Sequence, residues 1–306
     1  MRRLLLSATP SDEGERLDRF IALKGGVSRG LARRVLERGG VFLDGRRCKV
    51  ASRLVRAGQE VVVNLEESGR SVEAPAALER TRLLFLDEHL VAVDKPAFVA
   101  AQPTLTTDRG VLPELVGDLL RSKVTPVHRL DRQTSGVTLL ARSPRAMAAL
   151  TEAFRERTVE KTYLALCAAA PRPAEGRLEA PLGPDPTRPG RRRVCASGEE
   201  AVTRYQTLRT GPSGTSLVLC SPETGRTHQI RAHLAYLGAP LLGDVRYGGP
   251  RSVLGVDVPR VMLHARRLCI DHPFTKAPLV FEAPVPDDFL LLLRALVPAG
   301  SAPEAP

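Results

Sequence analysis

The 306-residue chain contains no tryptophan, and aromatic residues make up only 4% of it. A base-stacking platform rich in aromatics is thereby excluded. Cysteine is scarce. Cys48, Cys167, Cys195, Cys220 and Cys269 are odd in number, far apart and never spaced C-x-x-C. That argues against a disulfide framework and a cysteine zinc site, and it points to a reducing cytoplasm. The six histidines show no H-E-x-x-H or other metal-ligating spacing. There is no Walker loop, and no G-x-G-x-x-G follows a strand-like run. No apolar run reaches the ~18–20 residues needed to span a bilayer. The opening stretch, MRRLLLSATPSDEGER, lacks the apolar centre of a signal peptide. The expectation is a cytoplasmic protein, neither membrane-bound nor secreted.

What the chain does have is arginine. Lys and Arg total 45 against 34 Asp and Glu, a net charge of +11, and only six of the 45 are lysine. A strongly basic chain points to a polyanionic partner. Arginine suits phosphate because its planar fork binds two oxygens at once. The competing reading is a solvated basic surface with no partner. Apolar residues at 43% and charged residues at 26% leave ample material for a core.

The charge is uneven. Residues 1–70 hold 15 Lys and Arg and 9 Asp and Glu, more than half the net charge in under a quarter of the chain. This segment reads as a separate module. A short helix is expected from Arg16 to Leu23. A second runs Arg29 to Arg38, capped by Ser28 and stopped by Gly39-Gly40. Leu31, Val35 and Leu36 can face a core, while Arg29, Arg33, Arg34 and Arg38 make much of the remaining surface basic. Asp44-Gly45, between Val41–Leu43 and Arg47–Val50, signals a tight hairpin. Arg46 and Arg47 add to the basic face.

Residues 71–82 read as a linker, 83–297 as a second domain and 298–306 as a frayed tail. In the second domain, Leu83–Leu86 and Leu90–Val93 form a hairpin turning at Asp87–His89. Pro144–Arg157 and Thr227–Leu237 are helices, Lys161–Ala165 is a strand, and 183–200 is an exposed loop. Strands without regular strand–helix alternation indicate an α+β fold rather than a doubly wound one.

Three stretches could carry chemistry. His128-Arg-Leu-Asp131-Arg-Gln-Thr134-Ser-Gly136 is a polar loop between two strand-like runs. Arg129 and Arg132 flank Asp131 and favour its ionised form, as a nucleophile or base requires. The plainer reading is an Asp that caps a turn. Gly225-Arg226-Thr-His228-Gln229-Ile-Arg231 opens the second helix. There His228 and Arg231, three apart, share a face that could offer a guanidinium to an anion, or simply face solvent. In Lys161-Thr-Tyr163-Leu-Ala, Tyr163 points inward with a polar tip, or is ordinary core.

Together HRLDRQTSG, KTYLA and TGRTHQIRAHL, followed by Gly-Ala-Pro-Leu-Leu-Gly-Asp at 238–244 and Leu-His-Ala at 263–265, resemble a known family. It is that of the RNA pseudouridine synthases of the ribosomal large-subunit and transfer RNA branch. The resemblance runs over residues 83–290. The first module resembles the S4-like RNA-binding domain through Arg16-Leu17-Asp18, Ser28-Arg29, Gly39-Gly40-Val41 and Asp44-Gly45. Members commonly read Asn-Lys-Pro-Ala-Gly where this chain has Asp94-Lys95-Pro96-Ala97-Phe98, so a different course is expected for that loop.

The resemblance implies the following. The fold is α+β: a small S4-like α/β module, then a mixed, mainly antiparallel sheet flanked by helices. The enzyme detaches uracil from its sugar, rotates it and rejoins it through C5, with no cofactor and no metal. Asp131 is the catalytic carboxylate, Arg231 aims it, and Tyr163 lies beside the flipped base. The substrate pocket takes His128, Arg129, Leu130, Thr134, Gly136, Arg226, His228, Gln229 and Leu263, with Leu263 as the apolar wall and Arg129 filling the gap left in the stack. Arg29, Arg33, Arg34, Arg38, Arg46 and Arg47 bind RNA. The expected partner is 23S rRNA ahead of tRNA, and the expected state is a monomer. Two competing classes are a non-catalytic RNA- or ribosome-binding protein and a DNA-binding or nuclease-like protein. The first is disfavoured by three intact key positions, the second by the missing metal-binding carboxylate cluster.

Overall fold

The fold is that of a computed structural model, which describes residues 2–65, 75 and 77–298. The chain divides into two compact units, Met1–Leu78 with Gln102–Arg121, and Glu79–Ala101 with Ser122–Pro306. Residues 71–74 and 76 of the linker expected at 71–82, and the tail beyond 298, lie outside the described residues. Among the described residues no helix is long and apolar enough to cross a membrane.

The first unit has strands β1 (Arg2–Ser7), β2 (Val41–Leu43), β3 (Arg46–Arg47) and β4 (Glu60–Leu65) in the order β1-β4-β2-β3, with helices α1 (Leu17–Gly25), α2 (Arg29–Arg38) and α3 (Leu112–Leu120). Local signals set α2. The Ser28 hydroxyl accepts from Leu31 N–H at 3.2 Å, and Gly39 ends the helix in a left-handed conformation, φ +85°. Val35 and Leu36 pack with Leu17, Phe20, Ile21, Val61 and Val63 in one core, and Leu31 lies against its edge. Asp44 and Gly45 both take positive φ, as a two-residue hairpin turn requires. The return strand is Arg46–Arg47, shorter than the expected Arg47–Val50. Strand β1 had no local signal. RRLLLS becomes a strand by pairing along its whole length with β4.

The second unit carries one ten-stranded sheet. Its strands are β5 (Leu83–Leu86), β6 (Leu90–Lys95), β7 (Thr125–Pro126), β8 (Ser135–Ala141), β9 (Glu160–Cys167), β10 (Glu175–Glu179), β13 (Val202–Thr210), β14 (Ser216–Pro222), β17 (Leu263–Asp271) and β18 (Pro278–Glu282). Two small hairpins, β11 (Leu182–Pro184) with β12 (Arg192–Val194) and β15 (Ser252–Val253) with β16 (Val256–Asp257), lie outside it. The helices are α4 (Pro144–Arg155), α5 (Gln229–Tyr236) and α6 (Asp287–Leu296). The sheet order is β10-β13-β14-β9-β17-β8-β6-β5, with β18 on β17 and β7 on β8. Every pairing is antiparallel except β17 with β8, so the mixed, mainly antiparallel α+β architecture is what the fold has.

Two expectations change. The expected loop 183–200 contains most of the β11–β12 hairpin, because Arg192–Val194 pairs back on Leu182–Pro184. The helix expected to begin at Thr227 begins at Gln229, because His228 takes a left-handed backbone, φ +58°. His228 therefore precedes the helix instead of sharing a face with Arg231.

The site depends on the junction of β8 and β17, where His264 and Ala265 pair with Ser135 and Gly136. Gly136 has φ +113°, and a Cβ there would sit 2.2 Å from the Ala265 carbonyl oxygen. Only glycine lets the two strands meet at this point.

Candidate active site

Four separated segments end around one cavity of about 580 Å³. The 128–134 loop feeds into β8, Tyr163 comes from the middle of β9, Arg231 from the first turn of α5, and Leu263 from the start of β17. The lining includes Asp131, Tyr163 and Arg231, with His128, Arg129, Leu130, Thr134, Arg226, His228, Gln229 and Leu263. Of the residues expected in the pocket, Gly136 alone does not line it. Its place is the strand junction behind.

Arg231 is the hub. Its Nη1 donates to Asp131 Oδ2 at 2.7 Å, while Nε and Nη2 donate to the two oxygens of Asp244 at 2.6 and 2.8 Å. Asp244 is 1% exposed, and its planar two-point grip fixes the guanidinium before substrate arrives. Tyr247 supports it from the ring face, 5.1 Å from the guanidinium carbon. Burial raises the cost of ionising Asp131, but the cations facing it outweigh that cost, and its pKa lies below the ordinary value.

His228 adds little to that balance at neutral pH. Burial pushes its own pKa down to about 4, so the ring is neutral and Arg231 supplies the charge. The Tyr247 hydroxyl accepts from Arg192 N–H at 2.8 Å and is 3.0 Å from His228 Nδ1. Its proton is thus available to Nδ1, which leaves the ring proton on Nε2, 3.8 Å from Asp131 Oδ2. Burial, and next the charge of Asp131, raises the Tyr163 pKa, so its phenol stays protonated.

Several lining residues hold the walls. Gln229 donates to Val202 O and Thr203 Oγ1 and accepts from Thr224 Oγ1 and Arg226 N–H, which occupies both ends of its amide. His128 Nε2 accepts from Leu139 N–H at 3.0 Å, and its ring stacks on Phe154. Burial drops its pKa to about 3, so it too is neutral. Arg226 reaches Glu199 and the Glu200 carbonyl. Thr134 has a buried hydroxyl with no partner among the described residues.

The sequence did not single out the groups that aim this site. Besides Asp244 and Tyr247, buried Arg260 grips Asp288 through two bonds and donates to the carbonyls of Gln133 and Leu263. It thereby ties the Asp131 loop to the Leu263 wall. Buried Lys95 donates to the carbonyls of Val99 and Arg132 and so also holds the same loop. Asp244 falls in the quoted 238–244 stretch and could have been found there. Arg260 could not, since Asp288 and Gln133 lie 28 and 127 positions away. The substituted Phe98 keeps a glycine-like backbone, φ +69°, held by paired bonds with Arg132. The loop takes a left-handed turn despite the side chain. Among the described residues, no group of three His, Cys, Asp or Glu side chains could hold a metal.

In the first unit the expected RNA-binding arginines separate. Arg29 and Arg33, with Arg16, converge on the fully buried Asp18 at 3.0, 2.8 and 3.2 Å. Arg34, Arg38 and Arg46 are exposed. Arg47 turns inward to the carbonyls of Gly39 and Thr104 and lies over Phe42, so its fork is already occupied.

The S4 domain family matches residues 15–61, and the RNA pseudouridylate synthase family matches residues 89–236. An uncharacterized RNA pseudouridine synthase of Bacillus subtilis is 38% identical over 247 residues, covering 79% of this chain and 80% of that protein. Ribosomal large subunit pseudouridine synthase C of Escherichia coli O157:H7 is 33% identical, covering 95% of this chain and 96% of that protein. Among solved structures, human RNA pseudouridylate synthase domain containing 1 has a TM-score of 0.59 at 26% identity, over 78% of this chain and 94% of that one. Cavity, sheet and relatives agree: this chain belongs to the RNA pseudouridine synthases and carries an N-terminal S4 domain.

Proposed function

We propose that this enzyme isomerises uridine in 23S ribosomal RNA, without cofactor or metal, with Asp131 as the nucleophilic carboxylate. The single observation that carries the reading is the Asp131–Arg231 pair at the wall of a cavity of about 580 Å³, held from behind by Asp244. A nucleophile must be ionised, accessible and aimed. Asp131 remains 18% exposed beside a guanidinium that Asp244 holds in place.

The reaction balances without an outside reagent. The N1–C1′ bond breaks and a C5–C1′ bond forms, while C5 loses a proton and N1 gains one. Leu263 walls the uracil, Tyr163 lies along it and handles a proton as a neutral phenol, and the unpaired Thr134 hydroxyl is free to bond to substrate. Arg129, exposed at the cavity edge, fills the place of the flipped base. The arginines around Asp18, with Arg34, Arg38 and Arg46, meet phosphates of structured RNA. Support for the ribosomal substrate comes from the S4 domain and from the relative whose name refers to the ribosomal large subunit. The enzyme acts as a monomer in the cytoplasm, in a chain whose working boundaries are 1–70 and 83–297.

The test is pseudouridine mapping of total RNA from cells with and without the gene, by carbodiimide labelling and reverse-transcription stops. Loss of stops in 23S rRNA, restored by wild type but not by Asp131→Ala, is the expected result. Loss confined to tRNA would overturn the substrate, and no loss in any RNA would overturn the reading as a whole.

A further inference from the structure

Six cations line the cavity: Arg129, Arg155, Arg157, Lys161, Arg226 and Arg231. Four are matched by carboxylates. Arg155 pairs with Glu152 and Glu156, Arg157 with Glu200, Arg226 with Glu199, and Arg231 with Asp131 and Asp244. The one glutamate in the lining, Glu223, is taken by Arg177 and Arg204 outside it. Arg129 and Lys161 are left. Arg129 is exposed, but Lys161 is half-buried, and its ammonium has no hydrogen-bond or ion-pair partner among the described residues.

An unpaired ammonium drawn out of water is unfavourable, and a fold does not gain from placing one there. The surroundings do not relieve it. Burial, and then Arg157, lowers the Lys161 pKa, and the neighbouring His128 ring is neutral. What Lys161 lacks is an anion. Its position says which one. Lys161 and Tyr163 are two residues apart on β9 and both line the cavity, whereas Leu164 and Leu166 pack into a different core. Two residues of strand span about 7 Å. That is the scale of a single nucleotide unit, so a uridine lying along Tyr163 brings a backbone phosphate within reach of Lys161.

We propose that Lys161 is a phosphodiester-binding residue, whose ammonium takes the RNA phosphate next to the uridine accepted beside Tyr163. This rests on the reading of the cavity as the uridine site. The contact holds the substrate in both ground and transition state, so it acts on KM.

The test uses the full chain and an unmodified 23S rRNA transcript, with turnover followed as tritium released from uridine C5. Lys161→Met should raise KM about tenfold, far more than it lowers kcat. It should also reduce the slope of log Kd against log salt by about 0.7. Lys161→Arg should recover most of the affinity. The melting temperature of Lys161→Met should equal or exceed that of wild type, since a half-buried unpaired charge is removed. A fall in kcat at unchanged KM and salt slope would overturn the proposal and place Lys161 on the base. No change in either would overturn it too, as would a lowered melting temperature, the mark of a structural lysine. Absence of turnover by wild type would instead overturn the uridine site itself.

Discussion

Asp18 and Asp131 are both carboxylates held against arginine, with opposite charge balances around them. At Asp18 one carboxylate meets three guanidiniums, and Arg16, Arg29 and Arg33 stay 41, 48 and 49% exposed. At Asp131 two carboxylates, the second being Asp244, meet one guanidinium, and Arg231 is 9% exposed. The first arrangement presents ordered positive charge at a surface, where a polyanion can meet it. The second leaves a net negative charge inside a cavity, on a carboxylate kept ionised by its neighbour. The residue types are the same. On the proposed reading, stoichiometry and burial suit one to a binding surface and the other to a reaction centre.

The comparison breaks most sharply at Asp131. Asp131→Asn should lower turnover by on the order of 10⁴ or more, since it removes the proposed nucleophile. Arg231 keeps Asp244, so the variant should melt within a few degrees of wild type, as differential scanning calorimetry would show. Asp244→Asn comes next. It breaks a buried pair and should cost on the order of 3 kcal/mol of stability. Arg231 then loses its fixed aim, and kcat should fall about 10²-fold while KM moves much less. A drop in KM-governed binding alone would mean that Asp244 does not position Arg231.

Asp18→Asn tests the other side. It adds one positive charge to a basic unit, so charge alone predicts tighter RNA binding. If order matters more, three freed guanidiniums should bind RNA roughly threefold to tenfold more weakly. Filter binding at several salt concentrations separates the two. The smallest expected effect is with pH. The Asp131 pKa is lowered in the folded state, so its pairing is fully present above the ordinary carboxylate value and is lost only as pH falls through the lowered one. His228 titrates near 4. The kcat/KM profile should therefore show no acid limb between about pH 5 and 8. A limb near 6–7 would mean that a protonated His228 takes part.

The sequence was most informative where structure is local. Ser28, Gly39 and the Asp44-Gly45 pair act within one helical turn or one hairpin, and α2 and its turn lie where they were expected. Strand β1 was missed because its partner β4 lies more than fifty residues on. The start of α5 was misplaced because nothing in histidine forecasts the left-handed backbone at His228. At the site, Asp131, Tyr163, Arg231 and Leu263 are too far apart for spacing to join them, and a family resemblance was needed to name them together. The groups that hold them are harder still. Arg260 reaches Gln133 across 127 positions, a contact only the folded sheet creates.

The most direct measurement is tritium release from uridine C5 by the purified full chain acting on unmodified 23S rRNA, with Asp131→Asn alongside. Wild type should release tritium at one or a few uridines, and Asp131→Asn none above background. Release by Asp131→Asn at the wild-type rate would contradict the role proposed for Asp131.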